Sequence, residues 1–169
     1  EPSPSEAVRT ALRLGGGALV VGEVRGEEAT ALYEAMRVGA AGETVLGTIH
    51  GEDPESVRER VVTDLGVSRS SFAATDLLVV LNDHRVDTIC EVIDHGDDVA
   101  FEPLFERSES GLRATGRMDR GESRLLEYLS RDGESFAAAR AAVDRRADAI
   151  RAAAAAGRMS PDRYTGAKG

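Results

Sequence analysis

The stretch ALVVGEVRGEEATALYEAMRV, Ala18 to Val38, decides how this chain is read. Its first four residues are an unbroken aliphatic run, the pattern of a short strand covered on both faces as in a parallel sheet. From Glu27 the period becomes helical, with Ala29, Leu32, Tyr33 and Met36 on one face and Gly39 placed to stop the helix. Between strand and helix lies Gly22-Glu23-Val24-Arg25-Gly26. A plain Asn-Gly or Asp-Gly turn would be enough to end a strand, so Glu23 and Arg25 call for a reason of their own.

A second unit repeats the order. TVLGTIH, Thr44 to His50, is β-branched and apolar, and DPESVRERVVTDLG opens with Asp53 as N-cap and Pro54 at the first helical position. Val57, Val61 and Leu65 line one face of that helix and Gly66 ends it. Upstream, SEAVRTALRL predicts a short helix with Ser5 as N-cap and Val8 and Leu12 one turn apart, stopped by Gly15, Gly16 and Gly17. DLLVVL, Asp76 to Leu81, predicts a third buried strand. Strands alternating with helices imply right-handed crossovers and a largely parallel sheet with helices on both faces.

The grammar then changes to a hairpin, RVDTICEVI and VAFEPLF around the turn DHGDD; imperfect alternation in the first arm leaves its register open. Residues 107–120 are polar with Gly111 and Gly116, and Gly121 follows, which predicts a loop or linker. ESRLLEYLS and ESFAAARAAVDRRADAIRAAAAAG read as helices. In the second, Phe136, Ala139, Val143, Ala147, Ile150 and Ala154 form an apolar stripe, either one seam of a coiled coil or a face packed on its own domain. The expected division is 1–106, a linker 107–121, a helical segment 122–156 and a frayed tail 157–169.

Composition bounds the function. A hydrophobic content of 41% with 30% charge is that of a globular protein. No apolar run approaches the roughly 20 residues that span a bilayer, and EPSPSEAVRT has neither a basic flank nor an apolar signal core. A cytoplasmic protein without direct membrane insertion is expected. Cys90 has no partner for an internal disulfide and reads as a small buried hydrophobe. Thirty acidic against 21 basic residues give a net charge of −9, which disfavours non-specific nucleic-acid binding. Lys168 is the single lysine, a bias expected of a salt-loving archaeon's protein or of a GC-rich genome. His84 and His95 fall in the turns NDHR and DHGDD, and Asp94, His95, Asp97 and Asp98 read as a solvated turn rather than a cation site. No G-x-S-x-G elbow supports a serine hydrolase.

The chemistry concentrates where two strands end, at Glu23 after the first and at Thr48 and His50 after the second. Ligands of open α/β sheets bind beyond the carboxyl ends of the strands, so these groups converge on one cleft. A carboxylate there orients a water or reaches a magnesium ion, and an imidazole contacts a terminal phosphate. Arg25 has two readings: an interface or phosphate-side arginine, or a salt-bridge partner that fixes the helix start at Glu27 and Glu28. Each residue alone is an ordinary turn residue. The combination, an aliphatic run followed by GE-x-R-G-x-E and then GTIH after its own strand, is far less common by accident.

The segments ALVVGEVRGEEATALYEAMRVGA and TVLGTIHGEDPESVRERV closely resemble the secretion ATPase superfamily, the hexameric motors of type II and type IV secretion, type IV pili and the archaellum, above all its archaeal members. In that family the first segment is the Walker B motif, with Gly22 before the glutamate, and Glu23 matches the catalytic glutamate. The second is the histidine box, with Thr48 and His50 at its threonine and histidine, while Arg25 and Glu28 match the continuation of Walker B. The resemblance runs from about Glu6 to Phe105 with decreasing strength. It implies the C-terminal part of a RecA-like P-loop NTPase core, a mostly parallel sheet flanked by helices, followed by a β-hairpin and C-terminal helices.

It further implies ATP and Mg2+ as ligands, with Glu23 and His50 catalytic, Gly22, Glu23, Arg25, Thr48 and His50 around the nucleotide, and Glu23 reaching Mg2+ directly or through water. The implied partners are further copies in a homo-hexamer and a membrane platform protein, at the cytoplasmic face of the cell membrane. Family members also carry an N-terminal domain, a Walker A loop and an acidic box upstream. Here Lys168 is followed by Gly169 rather than Ser or Thr, so no G-x-x-x-x-G-K-[ST] is present, and the chain opens on Glu1 rather than methionine. The expectation is the C-terminal half of a motor domain, inactive by itself; the alternative is a truncated or degenerate paralogue serving as a structural or regulatory ring subunit. An incomplete sheet exposes an edge and apolar faces, so the isolated chain is expected to be marginal or to associate.

Overall fold

In a computed structural model, which describes residues 3–14, 17–37, 44–96, 98–130 and 133–158, the described residues build a two-stranded sheet and a four-stranded sheet where a larger parallel sheet and a hairpin were expected. It divides into two units, Glu1–Gly116 and Arg117–Gly169. The first unit opens with α1 (Pro4–Leu14). Ser3 Oγ accepts the Glu6 N–H at 3.2 Å while the Glu6 carboxylate accepts the Ser3 N–H at 2.9 Å, a reciprocal capping box. The cap is therefore Ser3 rather than Ser5, because Pro4 takes the first helical position, where a missing N–H costs nothing. Gly15, Gly16 and the expected stop at Gly39 lie outside the described residues.

Strand β1 (Ala18–Val21), helix α2 (Glu28–Arg37) and strand β2 (Thr44–Gly47) follow, and the two strands pair parallel with Val20 opposite Leu46. Leu19, Val21 and Val45 pack on the core, but the other face has no cover among the described residues: Val20 is 67% and Leu46 54% exposed. The expected two-sided burial thus fails here, since a four-residue aliphatic run looks alike with one face covered or both. Asp53 and Pro54 start α3 (Pro54–Glu59) as predicted, Asp53 accepting the Ser56 N–H at 2.7 Å and the Ser56 hydroxyl accepting the Asp53 N–H at 3.0 Å. The helix then widens into one π turn, Arg60–Asp64, where the Leu65 N–H reaches the Arg60 carbonyl at 3.0 Å. Val57 and Val61 face the core.

A single helical turn, α4 (Arg69–Phe72), escapes sequence reading because it is too short to show a period. It delivers Phe72, fully buried, between Tyr33 and Phe101 at ring-centroid distances of 6.0 and 6.3 Å. Burying a side chain of that size contributes about 1.5–3 kcal/mol, and this cluster, with Val24, Leu32, Val57 and Val61, is the core.

The third strand departs from expectation. β3 (Leu77–Asn82) does not extend the parallel sheet; it pairs antiparallel with β4 (Arg85–Asp94), which pairs with β5 (Val99–Ser108), which pairs with β6 (Gly111–Ala114). Two residues, Asp83 and His84, join β3 to β4 with φ of 50° and 58°. A connection that short permits only an antiparallel hairpin, and left-handed backbone at both positions matches the strand twist. The imperfect alternation of the first hairpin arm has its cause in a register shift between Ile89 and Cys90, opposite Pro103, which has no N–H to give the ladder. The start of the supposed loop 107–120 is strand. Arg107 reaches Asp87 at 2.7 Å and the Val86 carbonyl at 2.6 Å, and exposed polar side chains hid an edge strand.

The second unit holds α5 (Arg124–Leu129), capped by Ser123, and α6 (Phe136–Ala155), capped by Ser135. α6 ends at Gly157, φ 68°, whose N–H reaches the Ala154 carbonyl at 2.9 Å while that of Arg158 reaches Ala153 at 2.8 Å, a Schellman closure. Along the predicted stripe Ala139 is buried, whereas Val143 and Ile150 remain open to solvent. The tail from 159 lies outside the described residues.

Candidate functional site

Because β1 and β2 are parallel and in register, the segments leaving their carboxyl ends emerge side by side. They are then laced together. The Thr48 N–H donates to the Val21 carbonyl at 3.3 Å, the Val24 N–H donates to the Thr48 carbonyl at 2.8 Å, and the Thr48 hydroxyl donates to the Gly22 carbonyl. Pairing therefore continues past the last strand residues. Val24, 3% exposed, points into the core, so its neighbours Glu23 and Arg25 point outward.

There the Glu23 carboxylate meets His50 Nε2 at 3.2 Å and Arg25 Nη1 at 3.3 Å. The three side chains are 38%, 81% and 73% exposed, respectively. Ion pairs this open contribute about 0–1 kcal/mol to stability, so folding does not account for the cluster. Glu23 and His50, singled out in the sequence, are thus neighbours in space. Thr48 and Gly22 stand beside them and tie the two segments to each other. Arg25 directs its guanidinium to Glu23, and its charge also acts on the Glu28 carboxylate at the helix start.

Glu28 fixes the helix start in another way. Its Oε1 accepts the backbone N–H of Arg25 at 2.8 Å and of Gly26 at 3.0 Å, and the residue is 7% exposed. Those backbone donors, that of Arg25 first, hold its carboxyl below the usual carboxylate range against the opposing effect of burial. Two glycines also matter. A Cβ on Gly47 would sit 3.2 Å from Val24 and 3.3 Å from Leu32, and a Cβ on Gly51 only 2.5 Å from Val57 Cγ2. Glycine directly after a candidate histidine is the signal that could have identified Gly51.

Among the described residues no group of three His, Cys, Asp or Glu side chains could enclose a metal ion. The Glu23 carboxylate at the cluster fits Mg2+, an ion that keeps several waters and is bound through one or two carboxylates plus substrate phosphates. Arg25 and His50 supply exposed nitrogen donors suited to an anion. Other candidates stand apart. Cys90 is 1% exposed, and burial pushes its thiol up to about 11, leaving it inert. His84 sits in the β3–β4 turn, the His95 N–H closes a turn on the Asp98 carbonyl, and Asp97 lies outside the described residues. A hollow of about 530 Å3, lined in part by Asp53, Ser56, Arg58 and Arg69, lies along α3 and includes neither Glu23 nor His50.

A family model described as "Type II/IV secretion system protein" matches residues 3–163. An uncharacterized protein of Methanocaldococcus jannaschii is 43% identical over 56 residues, which is 33% of this chain and 20% of the relative's own length.

Proposed function

The chain belongs to the type II/IV secretion system protein family, and from that premise we propose that it carries the water-orienting and phosphate-sensing side of a motor ATPase site. Members of this family are typically ATPases. The observation that carries the reading is the 3.2 Å contact of Glu23 with His50 at the carboxyl ends of two parallel neighbouring strands. Glu23 accepts a proton from the water directed at the γ-phosphate of ATP, and its carboxylate would hold Mg2+, directly or through a water. Bound Mg2+ would neutralise charge developing on the phosphates. His50 and Arg25 release Glu23 to donate to phosphate oxygens, and Thr48 with Gly22 keeps the two segments in register beneath them.

In this reading the fold is the C-terminal part of a RecA-like core. Its phosphate loop precedes residue 1 in the full protein, and the open Val20–Leu46 face receives the remaining core strands and helices. The working machine is a homo-hexamer acting on a membrane platform protein. No helix among the described residues is long and apolar enough to cross a membrane.

The test is Glu23→Gln in the full-length protein at high salt. Turnover falls by about 10²–10⁴, while nucleotide affinity by calorimetry stays within about threefold, since the phosphate loop carries most of the binding. Turnover surviving in this variant refutes the role of Glu23. A full-length wild type that neither binds nor hydrolyses ATP favours the non-catalytic ring subunit instead.

A further inference from the structure

The segment that presents Glu23 and Arg25 is held from two sides. On one side Thr48 accepts the Val24 N–H at its carbonyl and donates its hydroxyl to Gly22. On the other, Arg25 and Gly26 have no strand partner; their N–H groups converge at 2.8 and 3.0 Å on one oxygen of Glu28, the first residue of α2. Without that acceptor, two adjacent donors next to the site would turn to solvent or to another partner. The helix start would then be free to move relative to Glu23. Gly26 belongs to the same arrangement, because a Cβ there would lie 3.0 Å from Glu28 Oε2, so a larger residue would make the carboxylate give by a few tenths of an ångström.

We propose that Glu28 is a positioning residue that holds the Glu23–Gly26 segment in the geometry needed for hydrolysis, acting through the Arg25 and Gly26 backbone and touching neither substrate nor metal. The inference rests on the reading of Glu23 as the water-orienting group. Its physical basis is the shared oxygen: the site needs an acceptor at that distance, and a carboxylate is the strongest one available. Glu28 is also 7% exposed, so little water competes for those donors.

Reach is the first requirement, and the charge strengthens the same two hydrogen bonds. Glu28→Gln keeps an oxygen at the same distance. Glu28→Asp keeps the charge but withdraws the oxygen by one methylene. Glu28→Ala removes it. A misplacement of about 1 Å at a catalytic group costs roughly 10²-fold in rate, so Ala and Asp are expected to lower kcat for MgATP hydrolysis by about that factor with KM little changed, and Gln to recover it to within about tenfold of wild type.

The measurement is steady-state phosphate release by the full-length protein, with Glu23→Gln alongside and with hydrogen exchange of the Arg25 and Gly26 amides as a second readout. Those amides exchange faster in the Ala and Asp variants and stay protected in the Gln variant. If Asp matches wild type while Gln behaves as Ala, the requirement is electrostatic and the proposal is wrong. If all three variants keep wild-type kcat and amide protection while Glu23→Gln is dead, the positioning role fails and the role of Glu23 stands. If Glu23→Gln keeps turnover, the underlying reading fails, and amide exchange alone then decides whether Glu28 anchors the segment.

Discussion

Gly51→Ala is the sharpest test of how the His50 segment is packed. The added methyl carbon would lie 2.5 Å from Val57 Cγ2 and 3.3 Å from the Val57 backbone nitrogen. Carbon atoms in contact prefer about 3.5–4.0 Å, so the overlap is about 1–1.5 Å. Val57 has little room to yield, being 5% exposed, in α3, and β-branched with one favoured helical rotamer. The strain therefore falls on the segment carrying His50. Overpacking of this kind costs about 1–3 kcal/mol; at roughly 2–4 °C per kcal/mol for a chain of this size, melting should drop by about 2–12 °C. The assay is thermal melting of Gly51→Ala, Val57→Ala and the double variant. Val57→Ala alone destabilises by leaving a cavity, and in the double variant the new methyl occupies part of that space, so the two losses should fall short of additive by about 1–2 kcal/mol. A Gly51→Ala protein that melts with wild type, or a strictly additive double variant, would refute the contact.

The open face of the parallel pair predicts association of the 169-residue chain: size-exclusion chromatography should give species larger than a monomer, and Val20→Thr with Leu46→Thr should shift them toward monomer. A monodisperse wild-type monomer that melts cooperatively would contradict this. For Cys90, whose thiol is pushed up to about 11, alkylation of the folded protein at pH 8 should be slower than in denaturant by more than 10²-fold, combining a small thiolate fraction with burial, and should rise as pH approaches 11. Equal rates in folded and denatured protein would show the thiol to be exposed.

The site was more legible in the sequence than the sheet that carries it. Glu23 and His50 stood out because ionisable groups right after aliphatic runs have a position as well as an identity, and strand ends are where such groups meet. Glu28 did not stand out as an anchor, since its partners are backbone N–H groups that no sequence displays; the available hint was a glutamate opening a helix just after Gly26. The β3 run LLVVLN reads the same in a parallel or an antiparallel sheet. The deciding signal was the length of the Asp83–His84 turn, obscured because neither residue is the glycine that left-handed positions favour. Ser3 rather than Ser5 caps α1 because Pro4 takes the first helical position and Glu6 stands at the third, where its carboxylate reaches back to the Ser3 N–H. β6 was hidden by polar side chains on an edge where polarity is the rule.

The lacing of Val21, Gly22, Val24 and Thr48 has a mechanical consequence. The acid and the imidazole do not ride on two independent loops; they are mounted on a single stiff plate made by the strand pair and its extension. A movement of this unit as a body carries both together, and the contact between the two side chains opens by their own rotation above a backbone of fixed spacing. In the function proposed above, what alternates would then be the approach of other parts to that plate.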